Sequence, residues 1–149
     1  MTDHDAIKQV IQIYLDGLYE GDVGKLQAAF HPTSALTFAD ADQIKITTRE
    51  DWCAAVADRP SPRSLELPRH DEILMIDQSS PVTAFVKLKC AIPPRFFTDY
   101  LQGNRYFKIS EPRENLKRAI AQFELCSDIE QQKPTPRPVF QRIKDYDEI

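Results

Sequence analysis

The sequence predicts an α+β protein in which helices cover one side of an antiparallel sheet. Every second residue from Val82 to Cys90 is apolar, and this period of two is typical of a strand with one buried face. Residues 71–77 are expected to form the preceding strand, joined to it by a turn at residues 78–81. The residues before this hairpin carry mainly helical patterns. The chain therefore has to place helices over one face of the sheet.

Length, composition and charge favour a single globular domain with no nucleic-acid partner. The chain has 149 residues, of which 42% are hydrophobic and 28% charged, and its formal net charge is −4. A chain of this length can bury a substantial core. DNA and RNA binding usually needs a basic face on the protein. The net negative charge of this chain therefore gives no reason to expect a nucleic-acid partner. Arg59, Arg63 and Arg69 could still form a local basic patch. The alternative is that these arginines belong to a loop exposed to solvent.

The cysteines and the N-terminus indicate a reducing environment. Cys53, Cys90 and Cys126 are far apart and show neither a disulfide framework nor the ligand spacing of a zinc site. Cys53 and Cys90 lie in apolar patterns, so we expect buried, inert thiols. The polar, acidic start is unlike a signal peptide, and no apolar stretch is long enough to span a bilayer. We therefore expect a cytoplasmic protein with no metal and no membrane partner.

Two helices are predicted before residue 32. Residues 5–19 carry apolar side chains at the spacing of an amphipathic helix, and Gly21 is its expected end. Asp22 can cap a second, short helix. This helix should stop just before Pro32, because the residue preceding a proline disfavours helical angles.

The middle of the chain predicts a strand pair, a third helix and a loop. Residues 34–38 and 44–47 are the strands, and the capping-box-like run of residues 48–51 opens the helix. Three prolines make residues 59–70 a loop.

Beyond the long hairpin, residues 95–101 are predicted to form another strand. Gly103-Asn104 offers a tight turn, and residues 105–109 are the expected return strand. The spacing of Leu116, Ile120 and Phe123 predicts a helix over residues 113–131, followed by a proline-containing tail.

Asp99 and His31 are the candidates for acid/base chemistry. Asp99 lies at period two with Phe97 and Leu101, so these residues share one strand face. On a concave, apolar face, burial would raise the pKa of Asp99 and suit it to proton transfer. On an outer face, Asp99 would be a solvated acid. His31 either caps the end of the second helix or lies at the mouth of a pocket between helix and sheet.

Tyr14, Phe30 and Trp52 are the candidate ligand-binding residues. Tyr14 lies on the apolar stripe of the first helix, where its hydroxyl can donate to a ligand or to a backbone carbonyl. Trp52 either lines a cavity or packs in the core, and Phe30 is expected to be buried. The sequence contains no glycine-rich phosphate loop, HExxH or GxSxG motif, so we expect no cofactor and no metal-dependent chemistry.

Six segments in order resemble one family. These segments are residues 6–14, 17–22, 29–32, 71–77, 82–87 and 97–101. Their order resembles the cone-shaped fold of nuclear transport factor 2-like (NTF2-like) proteins, and more narrowly the putative lumazine-binding group within that superfamily. The resemblance covers about residues 5–102.

This resemblance implies a cone-like, curved antiparallel sheet with the N-terminal helices on its concave face and a pocket between the two layers. Relatives such as ketosteroid isomerase, scytalone dehydratase and polyketide cyclases place Asp, His and Tyr in that pocket for proton transfer. Residues 1–110 are expected to form the cone domain. Residues 111–149, which depart from the family pattern, are expected to add an extra C-terminal helix and a tail.

Two functions are compatible with these features. The first is a small-molecule-binding protein for an apolar or aromatic metabolite. If it is an isomerase-, dehydratase- or cyclase-like enzyme, Asp99 and His31 are the expected catalytic residues. The second is a non-catalytic dimerisation or protein-interaction domain that uses the sheet face carrying Phe85 and Lys87. We expect a homodimer.

Overall fold

The computed structural model describes residues 2–104 and a strand formed by residues 123–130. Within these residues, three helices lie on one face of a six-stranded sheet. The helices are α1 (Asp3–Glu20), α2 (Val23–Ala29) and α3 (Arg49–Ala57). The strands are β1 (Ala35–Asp40), β2 (Gln43–Thr48), β3 (Glu72–Ser80), β4 (Thr83–Ile92), β5 (Arg95–Asn104) and β6 (Phe123–Glu130). No helix of this part is long and apolar enough to cross a membrane.

Capping residues in the sequence define both ends of helix α1. The Thr2 hydroxyl accepts a hydrogen bond from the Asp5 N–H, and the Asp5 carboxylate accepts one from the Thr2 N–H, which completes a capping box. Gly21 ends the helix at a φ of 69°, a left-handed conformation that glycine adopts without a steric penalty. Gly17 lets α2 approach closely, since a Cβ there would lie 2.8 Å from Leu26 Cδ2.

The strand order is β2-β1-β6-β5-β4-β3, and neighbouring strands are antiparallel except for the β1–β6 pair. Strands β4 and β5 pair over their full length, with Leu88 opposite Asp99 and Cys90 opposite Phe97. Residues directly opposite in such a pair share a face. Leu88 and Val86 are fully buried, which confirms the predicted alternation along β4. Two register shifts in the β3–β4 pair mark irregularities of the kind that bend a strand.

The α+β class and the helix-on-sheet arrangement are confirmed, but the C-terminal prediction needs correction. The helix predicted over residues 113–131 is wrong for residues 123–130, which form β6 between β1 and β5. Residues 123–130 fit both the helical spacing and the alternation of a strand, because Phe123, Leu125 and Ile129 also follow a period of two. Backbone pairing with two neighbouring strands selects the strand, a long-range effect that local spacing does not report. Residues 113–122, the tail and the predicted boundary after residue 110 lie outside the described residues.

The tight turn predicted at Gly103-Asn104 is also wrong. Strand β5 continues through both residues, which lie opposite Ala84 and Thr83. Glycine and asparagine permit a turn, but pairing with β4 keeps them extended. The neighbours of β5 are β4 and β6, and the predicted return strand at residues 105–109 lies outside the described residues.

Candidate functional site

A buried cluster of Tyr14, Cys90 and Asp99 joins helix α1 to the sheet. The Tyr14 hydroxyl donates a hydrogen bond of 2.5 Å to Asp99 Oδ2, and the Cys90 thiol donates to the same oxygen at 3.2 Å. Asp99 is only 1% exposed, so the carboxyl group lies inside the protein. The sequence leaves Asp99 on either strand face, and the structure places it on the concave one.

Burial and the neighbouring acid keep both donors of this cluster in their neutral forms. Burial raises the pKa of Tyr14 well above its ordinary value of 10.0, and the charge of Asp99 raises it further. The same two causes, in the same order, raise the pKa of Cys90. Both groups therefore keep their protons at neutral pH. Cys90 acts as a hydrogen-bond donor here rather than as a thiolate nucleophile.

Two further aromatic side chains hold the Tyr14 ring in place. The Phe30 ring centroid lies 5.1 Å from that of Tyr14 and 5.3 Å from that of Trp52, both in edge-to-face geometry. Such pairs contribute about 0.5–1.5 kcal/mol each beyond the area they bury. The aromatic cluster comes from α1, α3 and the end of α2, so it determines how the helices approach one another.

A cavity of about 240 Å³ lies between helices α1 and α3 and the concave sheet face. Its apolar wall consists of Leu18, Leu36, Phe38, Trp52, Ile92 and Phe97. Tyr14 and Asp99 contribute polar groups to this wall. An apolar wall with few polar groups is the usual composition of a small-molecule site.

The structure brings three of the five predicted site residues together at this cavity. Tyr14, Trp52 and Asp99 line it, whereas Phe30 is buried against Tyr14 and Trp52 and is not part of its described lining. His31 is also outside that lining. Its Nδ1 lies 2.7 Å from Thr33 Oγ1 and accepts the Thr33 N–H, so it forms a local turn contact after α2.

Sequence reasoning missed Arg95 as a site residue and considered Arg59 only as part of a solvated loop or of a basic patch. Both line the cavity. The period of two along β5 could have identified Arg95, because it shares a face with Phe97 and Asp99. Burial lowers the pKa of the Arg59 guanidinium, and repulsion by Arg95 lowers it further.

The basic patch considered around Arg59, Arg63 and Arg69 does not form. Arg63 pairs with Glu20, and Arg69 pairs with Asp16 and Asp71. Within the described residues, no group of three or more His, Cys, Asp and Glu side chains is placed to hold a metal ion.

A sequence profile of the family described as putative lumazine-binding matches residues 2–105. The comparison with curated proteins found no match. Because the matched segment contains all three helices, the hairpin and the whole of β5, the match includes Tyr14, Trp52 and Asp99.

Solved structures similar to this chain share its fold. An NTF2-like protein of unknown function from Shewanella baltica has a TM-score of 0.68 at 15% identity, covering 87% of this chain and 95% of its own. One from Silicibacter pomeroyi has a TM-score of 0.67 at 13% identity, covering 87% and 100%. One from Methylobacillus flagellatus has a TM-score of 0.66 at 14% identity, covering 86% and 92%. At these identities, the likeness establishes the NTF2-like fold and nothing about ligands.

Proposed function

The chain belongs to the putative lumazine-binding family, and from this premise we propose that it binds a small aromatic metabolite in the cavity between its helices and sheet. The observation that carries the proposal is the buried Tyr14–Asp99 pair at the wall of a cavity that is otherwise lined mainly by apolar side chains. Apolar walls bind the ring, and a few fixed polar groups orient it. The family description favours a bicyclic heteroaromatic ring such as that of lumazine.

The cavity suits such a ring in size and lining. Its volume of about 240 Å³ favours a compact ligand, because typical sites for drug-sized ligands begin near about 300 Å³. Trp52, Phe38 and Phe97 supply aromatic surface against which a planar ring can pack. A ring N–H group of a pteridine would find hydrogen-bond acceptors in the Asp99 carboxylate and the Tyr14 hydroxyl oxygen.

If the protein is an enzyme, Asp99 is the group that accepts a proton from the bound ligand and returns it at another position. Such a step makes and breaks only bonds to hydrogen and needs no co-reactant. Tyr14 holds the Asp99 carboxyl in position through the 2.5 Å hydrogen bond and can share its proton with a ligand carbonyl. His31 is not part of this proposal, since it lies outside the lining of the cavity.

Binding assays on the parent protein and an Asp99→Asn variant test the proposal. A thermal-shift screen of pterins, flavins, steroids and polyketides, followed by calorimetric titration, should identify an aromatic class that binds the parent. Asp99→Asn should weaken that binding roughly tenfold or more, because an amide NH2 replaces one carboxyl oxygen and changes the hydrogen bonds that the side chain can form with the ligand. Asp77→Asn, the same change on an exposed position of β3, is the matched control and should bind like the parent.

Two outcomes would contradict the proposal. Either no compound class binds the parent, or Asp99→Asn binds every ligand as tightly as the parent does. Circular dichroism of the variant shows that any loss is not caused by unfolding.

A second candidate function is homodimerisation through the outer face of the sheet. Ile44 and Ile46 of β2 are 76% and 70% exposed, and they alternate with Thr47, which lines the cavity on the other face. Large apolar side chains exposed side by side often mark an interaction surface. Analytical ultracentrifugation should find a dimer for the parent and a monomer for an Ile44→Thr/Ile46→Thr variant. A monomeric parent at micromolar concentration would exclude this function.

A further inference from the structure

Two arginine side chains line the cavity without an acidic partner among the described residues. Arg59 follows helix α3 and is half-buried, and Arg95 is the first residue of β5. Neither guanidinium forms a salt bridge or a hydrogen bond with another residue of the described part of the chain. Arg63 and Arg69, by contrast, both bind acids outside the cavity.

Strand β5 runs along the cavity from its basic end to its acidic end. Arg95, Phe97 and Asp99 occupy alternate positions, and all three line the cavity. At about 3.3 Å per residue, the Cα atoms of Arg95 and Asp99 are about 13 Å apart along the strand. The cavity therefore has a buried acidic end, an aromatic middle and a basic end at the start of β5.

Among the described residues, no acidic side chain pairs with either arginine of this basic end. Arg59 and Arg95 repel each other, and together with burial this repulsion lowers the pKa of Arg59. Arg59 is half-buried, whereas Arg95 is exposed, so the unfavourable interaction of the two like charges falls mainly on Arg59. An anionic group between them would relieve the repulsion. The planar guanidinium group also matches the two oxygens of a carboxylate, with which it forms paired hydrogen bonds.

We infer that the cavity takes an aromatic ligand that carries a carboxylate group, which Arg59 and Arg95 bind. This inference rests on the proposed function, since it specifies the ligand class for the same cavity. The ring packs against Phe97 and Trp52, and its polar edge meets Tyr14 and Asp99. A neutral ring leaves the two arginines without a counter-charge and binds less tightly.

Matched pairs of compounds test the inference. Pterin-6-carboxylate is compared with pterin-6-carboxamide, and naphthalene-2-carboxylate with naphthalene-2-carboxamide, by calorimetric titration. The carboxylate should bind the parent on the order of tenfold more tightly than its carboxamide. Because the preference is electrostatic, it should shrink as salt is added.

Three substitutions assign the preference to residues. Arg59→Gln and Arg95→Gln should each reduce the carboxylate preference several-fold, because the carboxylate loses an ionic contact whereas the carboxamide loses only a neutral one. Arg63→Gln is the matched control, because this arginine lies outside the cavity, and it should keep the full preference. Circular dichroism of each variant shows that it remains folded.

Each contrary outcome is distinct. Equal affinity of the parent for both members of a pair that binds would overturn the inference and leave the proposed aromatic-ligand function intact. A preference that survives both Arg59→Gln and Arg95→Gln would overturn the assignment to these arginines. If none of the four compounds binds the parent, the inference is overturned together with binding of these rings, and the wider screen decides the proposed function.

Discussion

The hydroxyl oxygen of Tyr14 lies 2.5 Å from Asp99 Oδ2, and this contact connects helix α1 to strand β5 across 85 residues of sequence. Both groups are buried, and each is a hydrogen-bonding partner of the other. A buried polar group that loses its partner keeps the full desolvation penalty. The contact therefore contributes to the stability of the fold as well as to the geometry of the cavity.

Tyr14→Phe should lower the free energy of unfolding by about 1.5–3 kcal/mol, the range for a hydrogen bond to a charged group. Tyr19→Phe is the matched control on the same helix, because the Tyr19 hydroxyl donates to the Leu67 carbonyl at 3.2 Å and is only half-buried. It should cost about 0.5–1.5 kcal/mol. Urea unfolding measures both values, and equal losses would contradict a special contribution from the contact with Asp99.

Stability should fall at alkaline pH partly because of Tyr14. In the unfolded chain its hydroxyl ionises near the ordinary value of 10.0, whereas burial and then the charge of Asp99 raise the pKa in the folded protein. Above about pH 10 the folded state binds more protons than the unfolded state, so the free energy of unfolding decreases as pH rises. The stabilisation is complete below that pH and is lost on the way to the folded-state pKa.

Urea unfolding at several pH values from about 8 to 11 tests this linkage. The stability of the parent should fall more steeply above about pH 10 than that of Tyr14→Phe, which lacks the ionisable group. Curves that stay parallel across this range would show that Tyr14 does not contribute to the pH dependence.

Gly21→Ala should destabilise the end of helix α1. Its φ of 69° costs an alanine about 1–2 kcal/mol, and the added Cβ would lie 2.9 Å from Ser61 Cβ. Gly24→Ala in α2 is the control, because its φ is not positive and the new Cβ meets only Asp22 Oδ1, at 3.2 Å. Thermal unfolding should show the larger loss for Gly21→Ala, and the reverse order would contradict the conformational argument.

Arg49→Met should also destabilise the protein, by about 1.5–3 kcal/mol. Arg49 opens helix α3, and its Nη1 donates to the Phe30 carbonyl at the end of α2 at 3.0 Å. Its side chain is only 14% exposed, so water does not replace this contact. Arg63→Met removes an exposed arginine paired with Glu20 and should cost about 0–1 kcal/mol. Similar losses in chemical denaturation would argue against the Arg49 contact.

The sequence was informative wherever a feature depends on near neighbours. The N-cap of α1, the end at Gly21 and the buried face of β4 follow from residue types within a few positions of one another. The period of two also placed Asp99 with Phe97 and Leu101 on one face, although it did not decide which face is buried. The same period includes Arg95, which no local signal distinguishes from a solvated strand end.

Local sequence patterns did not predict the correct element where the same residues fit both a helical spacing and a strand alternation. Phe123 belongs both to a helical series with Leu116 and Ile120 and to an alternating series with Leu125 and Ile129. Only the neighbouring strands β1 and β5 decide between them. His31 is a different case, because its position after α2 is compatible with both a pocket and a local role, and the contact that the structure shows, with Thr33, is local.

By itself, the sequence determined the secondary structure up to residue 101, the helix-on-sheet class and the family, because these depend on spacing and order along the chain. Tertiary structure alone decided that β6 lies between β1 and β5, that Tyr14 meets Asp99, and that Arg59 and Arg95 line one cavity. The reason is physical. Strand register and the packing of helices on the sheet set which distant side chains meet, and neither quantity is encoded within one segment.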